Sequence, residues 1–361
     1  TLGTMANKNG GFLDMDKFTF CGRVIQAISE MIMEDTIQGP DINSIHTVFP
    51  DIVTNTEVGY IGEGGMVGVV NTGCNPTPQP WNTNTRKLKW EPGVWEILLS
   101  QCYTDLQQSA TIYSLRTGVD IPDFTDTDYM NIVIEVLERS IMDFWYRLFW
   151  FNDKDAKNVT DSGIITDGLD LKFFTIINGF WKQITTQVTA NPSQRGATIT
   201  ENAGASYAAQ KLTPDKAKEY IQSVVFSAPL LLRQQSDKFI LVTQSVYDAY
   251  QQSLMDACCL ESARLALLNG MEALSFNGIP VIAMPIWDKI IATSEDTGTK
   301  LNNPHRILFT SKSVLGIGVD AIDSFEKMRI WYESKDRVVY VELMGRADAK
   351  LTNPDLLSVG I

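Results

Sequence analysis

His46 and His305 are the only histidines in the 361-residue chain, so any Ser-His-Asp, Cys-His or histidine-metal chemistry must use one of them. Neither has a Cys, His or carboxylate at metal-ligand spacing, and no Gly-x-Ser-x-Gly is present. His305 follows Pro304 at a strand start and reads as a surface or hydrogen-bonded loop residue. The acidic pairs Asp126/Asp128 and Asp153/Asp155 read as caps and solvated turns rather than as general acid and base. Gly62-Glu63-Gly64-Gly65-Met66-Val67-Gly68 follows a strand, as a dinucleotide loop would, but the sequence after it does not continue as a helix. No helix N-terminus is then offered to a phosphate. The runs Phe144-Trp145-Tyr146 and Phe149-Trp150-Phe151 could stack on bases. They lie in an apolar helix without interleaved Lys and read as core or subunit contact. No catalytic, cofactor-binding or metal-binding residue is expected.

Composition narrows the class further. Thirty Lys plus Arg against 43 Asp plus Glu leave a net charge of -13. A protein that grips phosphates needs a basic face, so specific nucleic-acid binding is disfavoured. The five cysteines (Cys21, Cys74, Cys102, Cys258, Cys259) are odd in number and contain no Cys-x-x-Cys. Adjacent Cys258 and Cys259 read as small core residues rather than redox partners, and a reducing cytoplasm is the natural compartment. No run reaches the length of a membrane span, and the segment from Thr1 to Gly11 lacks the regions of a signal peptide.

The elements follow from periodicity. Val24, Ile25, Ala27, Ile28, Met31 and Ile32 give a helical face within an arm over residues 1–45, stopped by Gly39-Pro40. Thr56, Val58 and Tyr60 alternate as a strand, and Arg86, Leu88 and Trp90 return after a Gly, Pro and Asn-rich tip. This makes residues 46–92 a long hairpin, marginal alone and in need of something outside its own lobe to lie on. Helices are expected over 94–109, 127–151, 213 onward from Thr213-Pro214, 245–255 and 261–268, and strands at 239–242, 278–283 and 305–310. Met328 to Met344 reads as a hairpin around Ser334-Lys335-Asp336. A chain this large, without a site but with extended appendages, reads as a structural assembly protein.

The order of these segments resembles tailed-bacteriophage major capsid proteins of the Hong Kong 97-type fold. The resemblance rests on Asp237 to Thr243, Val246-Tyr247-Asp248-Ala249-Tyr250, Gly278-Ile279-Pro280-Val281, Arg306 to Thr310, Val314 to Gly318 and the 328–351 hairpin with Gly345-Arg346-Ala347-Asp348. Lys89-Trp90-Glu91-Pro92, followed by Trp95, Leu98, Cys102 and Leu106, is similar to capsid proteins of crAss-like phages. The resemblance implies an α+β fold with an N-terminal arm (1–45), an extended loop (46–92), a peripheral lobe with a spine helix near 127–151 (93–212), an axial α/β lobe (213–322) and a C-terminal peripheral hairpin (323–361). Residues 152–212 fit this order least and are compatible with an insertion.

The resemblance further implies a subunit that packs with itself into hexamers and pentamers of an icosahedral shell. Such a shell would enclose double-stranded DNA without specific binding, alongside portal, scaffold or other capsid-associated proteins. It would assemble in the host bacterial cytoplasm and reside in the virion, with no membrane partner. Tyr60, Lys87, Lys89, Trp90 and Asn353 are the expected inter-subunit contacts, with Lys87 or Lys89 and Asn353 in places loosely corresponding to a crosslink some members make. Two other readings are an encapsulin-like compartment shell and an α/β enzyme using residues 213–310.

Overall fold

The computed structural model describes residues 42–52, 57–64, 83–102, 140–257, 264–266, 272–319, 329–333 and 338–361. The expected arm helix at 24–32, the hairpin tip, the turn at 334–336 and the first part of the long helix lie outside the described residues.

In chain order the strands are β1 (Thr47–Phe49), β2 (Glu57–Gly64), β3 (Thr83–Lys89), β4 (Gly93–Cys102), β5 (Arg195–Ala197), β6 (Lys238–Val242) and β7 (Arg264–Ala266). They continue with β8 (Glu272–Phe276), β9 (Ile279–Ala283), β10 (Ile307–Ser311), β11 (Leu315–Val319), β12 (Arg329–Glu333), β13 (Val338–Leu351) and β14 (Ser358–Gly360). The larger sheet has the order β5-β14-β10-β6-β9-β8-β7. Its middle is apolar on both faces: every residue of β10 is buried, as are Phe239 to Val242 of β6. That pattern marks a sheet with cover on both sides. Helices α1 (Pro214–Ser227), α2 (Gln244–Asp256) and α3 (Pro285–Ser294) accompany it. α1 packs on β5, β10, β14 and α2, and α2 also meets β9 and α3.

The second sheet is built on the 14-residue β13. β4 pairs along one edge, while β12 and β11 occupy successive stretches of the other, and β1 runs parallel to β11. β4 corrects the helix expected over 94–109. The segment pairs from Cys102↔Val338 to Gly93↔Ala347. Trp95 is buried while Val94 and Leu98 are 70% and 52% exposed, which is period-two alternation. Apolar residues on both faces had imitated a helical stripe. Likewise the helix expected at 261–268 holds strand β7, paired with β8 from Arg264↔Leu274 to Ala266↔Glu272. Here tertiary pairing overrides local propensity.

Residues 140–146 are α-helical and continue as a π-helical turn, Arg147–Phe151; the rest of the helix expected over 127–151 lies outside the described residues. This segment carries an aromatic column between the sheets. Trp95 of β4 meets Trp145 edge-on at 4.8 Å, and Trp145 stacks on Phe149 at 5.4 Å. Trp150 meets Trp287 of α3 at 4.6 Å and Phe180 at 4.9 Å. Phe180 opens helix α4 (Phe180–Ala190), in which Phe180, Trp181, Ile184 and Val188 are buried. Residues 152–212 thus contribute to the common core, and β5 extends the larger sheet beside β14.

Candidate functional site

The hairpin is the appendage the sequence singled out, and its root is built from named contacts. β2 and β3 pair antiparallel from Glu57↔Lys89 through Tyr60↔Arg86 and form a two-stranded sheet separate from the other two. On the entering side, the Ile52 backbone N–H donates to Val319 O at 3.1 Å. On the leaving side, the Glu91 backbone N–H donates to Asp348 Oδ2 at 2.7 Å. Trp90 lies between, 1% exposed and 5.6 Å from the Phe49 ring. Gly318 of β11 makes room for both ends: a Cβ there would stand 2.7 Å from Ile52 Cδ1 and 2.9 Å from Trp90 Cζ3. Asp348 is 2% exposed, and burial raises its carboxyl above the usual range against the pull of Lys350. The root is fixed to the β11–β13 pair while the strands extend from it.

The expected contact residues divide accordingly. Lys87 and Lys89 are exposed on β3, and Tyr60 lies opposite Arg86. Trp90 is buried within its own chain, where it gives the hairpin root an apolar anchor. Asn353 is 9% exposed and its Oδ1 accepts from the Asp355 N–H at 3.3 Å, so it serves the local turn rather than standing free at the surface.

The groups with possible chemistry are used structurally. His305 Nδ1 lies 2.8 Å from Ser245 Oγ and Nε2 lies 2.5 Å from Gln210 O. With Nε2–H donating to the carbonyl, Nδ1 accepts from the serine. The ring therefore leans on a neutral carbonyl, not on the carboxylate that orients a triad histidine. It is 5% exposed, burial lowers its pKa, and it joins the start of β10 to α2 and the 202–210 loop. His46 is 1% exposed, stacked on Phe180 at 5.5 Å, with Nδ1 2.9 Å from Ile42 O. Burial brings its pKa down to about 4. Asp288 accepts the Gln244 N–H at 2.7 Å, capping α2 from α3, and burial brings its pKa up to about 6. Asp153 and Asp155 hold Lys182 at 2.8 and 3.5 Å. Lys182 borders an open groove of about 460 Å³ between α4 and the end of β13. Among the described residues no group of three His, Cys, Asp or Glu is placed to hold a metal, and no helix is long and apolar enough to cross a membrane.

Sequence reading missed the outer face of the β4–β13 pair, where exposed apolar residues stand among charged ones, Arg346 opposite Val94 included. Val94, Leu98 and Met344 (59% exposed) lie there beside Glu96 and Glu342 in the register. The alternation of β4 is the signal that could have shown it.

No family model matches the chain, and no curated protein matches it in sequence. Solved structures do. A chain of Gordonia phage Cozz superposes with TM-score 0.54 at 10% identity, over 92% of this chain and 89% of that one. A chain of the satellite phage P4 procapsid, in a structure that includes the size determination (Sid) protein, gives 0.50 at 10% identity over 89% and 94%. A chain of the holo-SrpI encapsulin complex from Synechococcus elongatus PCC 7942 gives 0.42 at 10% identity over 92% and 93%. At such identities the likeness is one of fold, and the fold of this chain is that of phage capsid chains.

Proposed function

We propose that this chain is a major capsid protein of a tailed bacteriophage, with the Hong Kong 97-type architecture. It assembles with itself into hexamers and pentamers of an icosahedral shell around double-stranded DNA. The observation that carries the reading is the pairing of a procapsid-like fold with a hairpin that, among the described residues, is rooted at one end and pairs with neither main sheet. A free-standing two-stranded hairpin is marginal in water. A neighbouring subunit lying beneath it supplies the missing surface, and exposed Lys87 and Lys89 belong to that contact. The 140–151 segment is the end of the spine helix, residues 213–322 form the axial lobe, and portal and scaffold proteins are the expected partners. A crAss-like phage origin fits the Lys89-Trp90-Glu91-Pro92 stretch.

Light scattering of the purified chain at rising concentration tests the reading. Closed shells or ring-shaped capsomers are expected, and nucleic acid rather than a protein cargo inside shells made during infection. A population fixed as monomer or dimer at every concentration, with scaffold protein supplied, contradicts it.

A further inference from the structure

Arg147 opens the π-helical turn, and its guanidinium carbon stands 5.9 Å from the Phe144 ring centre and 5.7 Å from those of Phe173 and Phe174. Among the described residues its Nε is buried without a hydrogen-bond partner. Asp143 precedes it by four residues, the spacing at which helical Asp–Arg pairs form. The Asp143 carboxylate is bonded to Lys289 instead. Lys172 also leans over Phe173, at 5.3 Å, but is itself paired with Asp170 at 2.9 Å. Each of these acids thus has a lysine of its own, although the Asp143 charge also reaches Arg147. Phe173 is 48% exposed, so the aromatic collar opens to the surface on one side.

A guanidinium resting on ring faces keeps its planar fork of donors, and that fork matches a carboxylate. Partial burial strips away water that would otherwise satisfy it, so an arriving carboxylate gains more here than at an open surface. We propose that Arg147, rimmed by Phe173, is a socket for an Asp or Glu carboxylate from a second copy of this chain. The inference rests on the shell reading above. Charge favours that occupant: with 43 acidic residues against 30 basic, neighbouring copies present mainly carboxylates. Subunits of like net charge need cationic points where they touch.

Two variants of the full chain test this. Arg147→Met keeps the stem over the rings and removes the charge. The subunit should melt as wild type, while the concentration needed for assembly, read by light scattering, rises about tenfold or more, the effect of losing a charge-assisted contact. Assembly at the wild-type concentration overturns the proposal. If that variant does not fold, Arg147→Lys decides. Shells assembled from equal amounts of ¹⁵N-labelled and unlabelled chains are treated with a carbodiimide, which joins an amine to a touching carboxylate. A mixed-isotope crosslinked peptide from position 147 to an Asp or Glu is expected. Crosslinks confined to single chains, or none at that position, overturn the socket while leaving the shell reading intact. If wild type forms no assemblies, the shell reading fails and the socket falls with it.

Discussion

The carboxylate of Asp348, on β13, holds the backbone N–H of Glu91 at 2.7 Å and so fixes the point where the hairpin leaves the body. Asp348→Ala removes this bond to a partly buried donor and should cost about 1–2 kcal/mol of subunit stability. Trp90→Ala removes the anchor beside it and should cost about 3–5 kcal/mol. Both losses are expected in the melting of unassembled subunits. A Trp90→Ala subunit that melts as wild type and fails only in assembly would show that Trp90 acts between subunits.

A second buried link joins α3 to β10. Arg306 and Glu295 form an ion pair at 5% and 4% side-chain exposure, and the guanidinium lies 5.1 Å from both the Phe151 and Trp181 rings. The Arg306 Nε–H donates to Asn303 O at 2.9 Å, and Asn302 Nδ2 donates to Glu295 at 3.0 Å. Glu295→Gln strands a buried cation and should destabilise the subunit by about 3–5 kcal/mol. Adding Arg306→Met should recover part of that loss. A double-mutant cycle by chemical denaturation checks the coupling.

Two buried groups give stability opposite pH dependences. The folded His46 pKa of about 4 lies below its ordinary 6.5, so protons bind the unfolded chain preferentially between those values. Its contribution is complete above about 6.5 and is lost as pH falls toward 4, about 3 kcal/mol in all. Asp288 runs the other way. Its folded pKa of about 6 exceeds the ordinary 3.8, so its contribution is complete below 3.8 and is lost as pH rises through 6. Subunit melting from pH 4 to 8 should lose the acid-side decline in His46→Phe and deepen it in Asp288→Asn. Parallel curves for all three proteins would refute both assignments.

Gly93, at the start of β4, has no room for a methyl group: a Cβ there would lie 2.5 Å from Ile176 O and 2.7 Å from Ile177 Cγ2. The first obstacle is backbone, which yields less easily than a side-chain tip. Gly93→Ala should cost about 1–3 kcal/mol, read as a lowered melting temperature of the subunit.

Much of this architecture was legible because its signals are local. The apolar runs of β6, β9 and β10, the alternation of β12 and β13 and the Thr213-Pro214 helix start all carry their own period or cap. β4 was misread because Val94, Leu98 and Leu99 supply apolar side chains to both faces, and only pairing with β13 decides between strand and helix. The hairpin root was half legible. Its strands showed alternation, but the burial of Trp90 depends on Gly318, more than two hundred residues away. Arg147 gave no signal either, since its aromatic collar is completed by Phe173 and Phe174 from beyond its own helix.

Cryo-electron microscopy of particles formed by the full chain decides between a shell subunit and a free-standing protein. Closed icosahedral shells are expected, in which the β2–β3 hairpin of each subunit lies over a neighbour while Trp90 stays inside its own. Discrete monomers or dimers with the hairpin folded against their own body would contradict it.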